Sequence, residues 1–417
     1  MQFLSRRSLL QSGLASAVVL GGEIPGFLRR TIAAEKLSPA TGDTIVVAVQ
    51  LAGGNDGLNT VVPYENDIYQ RNRPTLSLKK KDVIPLQDGV GVNARMKRVF
   101  ELMEQGKLAV IHAVGYPNPD GDHGRAMEIW QSAEPDNPHP ETGWLGRAAD
   151  RLAESTMKGT SFIPAATPSI FISEIGAPLT VVGRSSVCVK AAGAESLTLD
   201  TTLASPEDGD RARESVSGAI EASVEAAVAA SRRAAARIAE ASREVSPGSV
   251  SYPTTLFGRR LEFIARLIRA ELGTRIFCTE MGGNGPGSFD THSLQANNHG
   301  ELLAELSEGL AAFVTDLARD RILERVLVYT YSEFGRTVRE NGRRGTDHGS
   351  AAPMFLAGGG LRQAVLGVHP DLVEMEKGGV KHAVDFRQVY ATILERRLAI
   401  SSQDVLGKAF QTLPIFG

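Results

Sequence analysis

Residues 44–64 read TIVVAVQLAGGNDGLNTVVPY, and this stretch decides the fold. Thr44–Leu51 is a β-branched, apolar run that stops at Gly53-Gly54, the pattern of a buried strand meeting a turn. Asn55 and Asp56 follow at once. Open α/β sheets bind ligands beyond the carboxyl ends of their strands. An acid on a glycine-rich turn at that place is a candidate ligand for a hard or borderline cation. A plain Asn-Asp-Gly turn is the alternative.

The same grammar continues outward. Met96, Val99, Phe100 and Met103 keep helical spacing, and Gly106 stands where such a helix would stop. Leu108–Val114 (LAVIHAV) is the next strand, with a helix beginning near Gly124. That βαβ order predicts an α/β fold with a largely parallel sheet and helices on both faces. Leu302, Leu303, Leu306, Leu310, Phe313 and Leu317 line one face of a later helix. Val326–Tyr331 and Met354–Ala357 read as strands. Phe386, Val389, Tyr390, Ile393 and Leu394 form a final amphipathic helix, with Asp385 as its N-cap. Residues 201–250, rich in Ala, Ser, Glu and Arg, read as one long, mostly exposed helical insertion closed by Pro247-Gly248.

Composition narrows the chemistry. The chain has 417 residues, 42% hydrophobic and 22% charged, which excludes wholesale disorder, collagen and coiled coil. Two cysteines cannot build an all-thiolate metal site, so a metal centre must use carboxylates and some of the eight histidines. Cys188 and Cys278 are enough for one disulfide. The formal charge is -3, and the first 34 residues hold four arginines against one glutamate, so the remainder is more acidic still. Nucleic acid is therefore not an expected partner.

The amino terminus reads SRRSLLQSGLASAVVLGG from Ser5. Ser5, Arg6, Arg7, Leu9 and Leu10 resemble a twin-arginine export signal, with small residues at Ala33-Ala34 for cleavage. The run Leu9–Leu20 is too short and diluted to span a bilayer of about 30 Å. The expected organisation is a signal at 1–34 and one domain over 35–417. Periplasmic or extracellular residence follows, with the twin-arginine machinery as a partner and no transmembrane segment in the mature chain.

Three further segments carry acids and histidines just beyond predicted strands. HAVGYPNPDGDHGRAMEIW places Asp122, His123 and Arg125 at a helix start, suited to an anion or nucleophile, or simply to an N-cap. GPGSFDTHSLQANNHG holds Asp290, His292 and His299, the residue types of a zinc or manganese site. YTYSEFGRTVRENGRRGTDHGS holds Glu333, Arg336, Asp347 and His348; its acids could ligate a metal and its arginines could hold phosphate or sulfate oxygens. A charged surface hairpin is the alternative there. No dinucleotide fingerprint, CxxC or haem motif supports an oxidoreductase.

LAGGNDGLN, the DHGRAMEIWQ helix start, TGWLGR (Thr142–Arg147), FDTH followed by Gln295 and His299, SEFGRT and GTDHG together resemble one family. It is the twin-arginine-exported family of domain of unknown function 1501, itself similar to the alkaline phosphatase and sulfatase superfamily. The resemblance implies an alkaline-phosphatase-like three-layer sandwich holding one or two divalent cations, whether Zn, Mn, Mg or Ca. Asp56, Asp290, His292, His299, Glu333, Asp347 and His348 take the metal-ligand positions by this resemblance. Where relatives often show Ser-His-Phe, this chain has Asp122-His123-Gly124, which leaves Asp122, a metal-activated water, or no catalysis.

The expected function is an exported metal-dependent hydrolase of phosphate or sulfate esters, acting on a small-molecule or polysaccharide ester. In that reading Asp122, His123, Arg125 and Arg336 form the catalytic set. The alternative is a catalytically silent exported binding protein of the same fold.

Overall fold

The computed structural model describes residues 44–87, 89–157, 169–186, 188–192, 250–283 and 287–417, with a few isolated positions between 236 and 248. The expected export signal lies outside the described residues, as does almost all of the expected insertion at 201–250.

Nine strands form the main sheet: β1 (Ile45–Leu51), β2 (Leu108–Gly115), β3 (Ser169–Ile172), β4 (Cys188–Ala191), β5 (Ile276–Met281), β6 (Val326–Tyr331), β7 (Ala352–Gly358), β8 (Val365–Leu366) and β9 (Val384–Asp385). Their order is β8-β2-β7-β6-β1-β5-β3-β4, and β9 also pairs with β2. Strand β7 runs antiparallel to both neighbours, and every other pairing is parallel. The strands read from sequence are β1, β2, β6 and β7. The sequence reading placed no strand at β3, β4 or β5. The βαβ expectation needs one correction. Strands β1 and β2 are parallel, but β6 and β7 lie between them. Hydrophobic periodicity reports that a strand is buried, not which strand it pairs with.

Strand β1 shows why the fold has three layers. Val47, Val49 and Leu51 point into one core, and Val46 and Ala48 into the other. Successive side chains of a strand face opposite ways, so a continuous apolar run needs cover on both sides. The first face is covered by α1 (Lys97–Glu104), α4 (Leu256–Arg269) and α5 (Gln295–Arg319). The second is covered by α2 (His123–Ser132), α3 (Trp144–Met157) and α6 (Phe386–Ile393). Each fully buried Val or Leu in these layers contributes roughly 1.5–3 kcal/mol. This is the three-layer, largely parallel α/β sandwich expected from the sequence.

Local signals act as read. Gly106 adopts φ +67° just past α1, where a left-handed residue ends the helix. Asp385 caps α6 in a capping box with Gln388. The two cysteines do not pair: Cys188 and Cys278 are free thiols. They sit on β4 and β5 with β3 between. Two sheet spacings of about 4.8 Å exceed the reach of a disulfide. No helix among the described residues is long and apolar enough to cross a membrane.

Candidate metal centre

Four parallel strands deliver the site from their carboxyl ends. The turn after β1 brings Gly53 and Gly54, and the loop after β2 brings Gly121 to His123. The segment after β5 brings Phe289 to His292, and the residues after β6 bring Ser332 to Arg336. A hairpin of strands Arg336–Glu340 and Thr346–His348 then returns His348 opposite Arg336. The charged-hairpin alternative was thus right about the backbone, and the hairpin also supplies the site.

The glycine turn is forced by close approach. Gly53 has φ +112°, and a Cβ there would lie 2.3 Å from the Asp290 amide nitrogen. Gly53 N–H donates to Glu333 Oε1 at 2.7 Å. Arg336 donates to the carbonyls of Gly53, Gly54, Phe289 and Thr346 and to Asp290 Oδ1.

Three imidazoles converge on Asp290. His292 Nε2 lies 3.0 Å and His348 Nε2 3.4 Å from Asp290 Oδ1, and His123 Nε2 lies 3.6 Å from Oδ2. Ligand atoms of His123, Asp290 and His348 all fall within 4.8 Å of one another. The other ring nitrogens are all held from behind. His123 Nδ1 faces Glu333 Oε1 at 3.1 Å, His292 Nδ1 faces Asp347 Oδ1 at 3.1 Å, and His348 Nδ1 faces the Gly121 carbonyl at 2.7 Å. Each partner is an acceptor, so a proton on Nδ1 of each ring would be satisfied from behind and would leave the Nε2 lone pair free for a cation in the cluster. His292 Nε2 and His348 Nε2 stand 2.9 Å apart. Two facing lone pairs beside a carboxylate repel unless positive charge sits among them, so the donor set fits a cation.

The electrostatics agree. Burial opposes ionisation of Asp290, but the hydrogen bond and charge of Arg336, with His292 and His123, hold its carboxyl below the usual range. Burial pushes His348 below the ordinary imidazole value, which favours its neutral, ligating form. The hydrogen bond to Glu333 raises His123. The hydrogen bond from Asn341, reinforced by His292, lowers Asp347. Phe334 stacks on His348 at 4.4 Å and lies 5.0 Å from His123, forming an apolar wall.

Several expected ligands and catalytic groups are placed elsewhere. Asp56 is buried and pairs with Arg73, whose Nη1 and Nη2 lie 2.6 and 2.9 Å from its two oxygens. With Gln295 and the Leu58 amide also donating to it, Asp56 has no room for a metal. His299 is buried against Asn55 Oδ1 at 2.9 Å, and burial lowers its pKa to about 4. Glu333 and Asp347 stand behind the histidines. Asp122 caps α2, its Oδ1 accepting from Arg125 N–H at 3.0 Å. Arg125 turns to Glu128 and the Pro135 carbonyl. Arg336 is enclosed by carbonyls and Asp290. Sequence reasoning missed Arg73, the partner of Asp56, because a guanidinium 17 residues away, just past the helix Asp67–Asn72, leaves no local signal.

A family model described as "Protein of unknown function (DUF1501)" matches residues 43–411. No curated protein matches the sequence. Among solved structures the chain is similar to the lipoteichoic acid synthase LtaP from Listeria monocytogenes, with 10% identity, 88% of this chain and 76% of that chain covered, and a TM-score of 0.40. It is similar to the PsFucS1 sulfatase from Pseudoalteromonas sp., with 10% identity, 94% and 75% covered, and a TM-score of 0.38. It is also similar to the C-terminal periplasmic domain of EcEptC from Escherichia coli in complex with Zn, with 9% identity, 76% and 73% covered, and a TM-score of 0.35.

Proposed function

The chain belongs to the DUF1501 family, whose description states no activity, and from the site together with the sequence resemblance we propose an exported, metal-dependent hydrolase of phosphate or sulfate esters. One observation carries the reading. Three histidines whose Nδ1 atoms face acceptors from behind bring their Nε2 atoms to 3.6, 3.0 and 3.4 Å from the oxygens of one carboxylate. Hydrogen bonds from behind are how metal-binding imidazoles are oriented and made more basic.

His123, Asp290, His292 and His348 would hold the ion. Three imidazoles and one carboxylate suit zinc, manganese or a similar ion better than magnesium or calcium. Among the described residues His123, Asp290 and His348 form one group with metal-ligand spacing, and His292 Nε2 lies 3.0 Å from Asp290, so the proposal is one cation. A bound divalent ion supplies Lewis acidity for an ester and for the water that attacks it. Glu333, Asp347 and the Gly121 carbonyl keep the imidazoles in their ligating tautomer. Phe334 keeps one side of the cluster dry. Asp122 caps its helix, so attack by water is favoured over a covalent intermediate. The ester class, from a small molecule or a polysaccharide, rests on the sequence resemblance, as does export by the twin-arginine route to the periplasm or beyond.

The test is the metal content of protein purified from the periplasm, followed by a screen of aryl phosphates and aryl sulfates. Changing Asp290 and His292 together is expected to abolish bound metal; unchanged metal content would remove the site. The second reading, a catalytically silent binding protein, is favoured by Arg125 and Arg336, both engaged by the protein itself. Neither metal nor turnover would select it.

A further inference from the structure

Beneath the cluster lies a buried chain of polar side chains that bond to one another rather than to the side chains of the four proposed ligands. Gln295, the first residue of α5, is fully buried. Its Oε1 accepts from Thr291 Oγ1 at 3.0 Å and from Thr346 Oγ1 at 2.6 Å. Its Nε2 donates to Asp56, which fixes the amide orientation, since an oxygen there would face a carboxylate. Asp56 is in turn held by Arg73, which also donates to Asn59 Oδ1 and to the carbonyls of Thr337 and Val338.

The two threonines matter because of their neighbours. Thr291 sits between Asp290 and His292, and Thr346 sits two residues before His348. Their backbones meet through Thr346 N–H to the Thr291 carbonyl at 3.1 Å. Gln295 grips both side chains at this junction, 55 residues apart in sequence. A slip of either segment would separate His292 Nε2 from His348 Nε2.

We infer that Gln295, oriented by Asp56 and Arg73, is a positioning residue that sets the spacing between the Asp290–His292 segment and His348, and so tunes metal affinity without contacting the metal. This rests on the metal centre proposed above. Partners that orient ligands from outside the coordination sphere are typically worth about 10–100-fold in affinity.

The experiment is Co2+ binding to the metal-free full-length protein, followed by visible absorption and titration. Gln295→Met is expected to weaken binding about tenfold or more and to change the cobalt spectrum. Thr346→Val, similar in shape but lacking the hydroxyl, should do the same more weakly, and Thr346→Ser should restore both affinity and spectrum. Val46→Ala, in the opposite core, should lower the melting temperature and leave both unchanged. Wild-type affinity and spectrum in Thr346→Val would overturn the inference, as would a serine variant as weak as the valine one. The Thr346 pair decides even if Gln295→Met does not fold. Wild-type protein that takes up no cobalt would instead overturn the metal centre itself, and this inference with it.

Discussion

Glu333 Oε1 accepts both the Gly53 amide proton at 2.7 Å and the His123 Nδ1 proton at 3.1 Å. One buried carboxylate oxygen therefore ties the turn after β1 to the first residue of α2. Glu333→Gln keeps the shape and removes the charge that holds His123. Metal affinity should fall about 10–100-fold, measured by competition with a chelating dye. An unchanged dissociation constant would detach Glu333 from the site.

Asp56 and Arg73 form a buried pair, with side chains 1% and 0% exposed. Asp56→Ala leaves the guanidinium buried without its charge partner, at a cost of about 3–5 kcal/mol in urea unfolding. Arg73→Met combined with Asp56→Leu should be more stable than either single change. A double variant as unstable as the sum of the singles would contradict the pairing.

Stability should fall on the acid side of neutrality. Burial holds His112 and His299 neutral, each with its pKa lowered to about 4 from 6.5. The unfolded chain protonates these rings first, so their stabilisation is complete above pH 6.5, shrinks as pH falls, and levels off near pH 4. Each ring accounts for about 3 kcal/mol across that window. Burial opposes ionisation of Asp56, but Arg73 outweighs it and holds the carboxyl below its usual range, so a further loss follows below about pH 3.8. Urea midpoints from pH 7.5 to 4.5, with chelator present, should decline steadily. A flat profile would show that neither histidine is held neutral.

Gly53→Ala tests the close approach directly. The left-handed φ of +112° and the 2.3 Å contact with the Asp290 amide leave no place for a methyl group. The strain should cost about 1–3 kcal/mol and move Asp290, weakening Co2+ binding. A variant with wild-type melting temperature and cobalt affinity would mean that the turn yields without disturbing the ligand.

The strong periodic segments were readable from sequence. Strands β1 and β6 are continuous β-branched and aromatic runs, helices α5 and α6 carry a regular apolar face, and Asp385 caps α6, so patterning announces them. Strands β3 and β4 have four residues each and β5 has six, within segments of mixed composition, and a short apolar run without alternation looks like many things. Among the candidate site residues, Asp290, His292 and His348 come together from two segments of the chain. Asp56 and His299 instead meet Arg73 and Asn55 from other segments, Arg125 turns to Glu128 and the Pro135 carbonyl close by in sequence, and Arg336 donates to Asp290 while enclosed by backbone carbonyls. A candidate acid after a strand looks the same whether it will meet a cation or an arginine.

Apolar patterning, turn glycines and helix caps were enough to specify an α/β sandwich and to place acids and histidines beyond the ends of its strands, because these signals depend only on near neighbours. Which carboxylates face the cluster, which stand behind a histidine and which are neutralised by arginine was decided by tertiary packing alone. Pairing across 280 residues, as between Gly53 and Glu333, depends on strand order and register, and no local pattern records either.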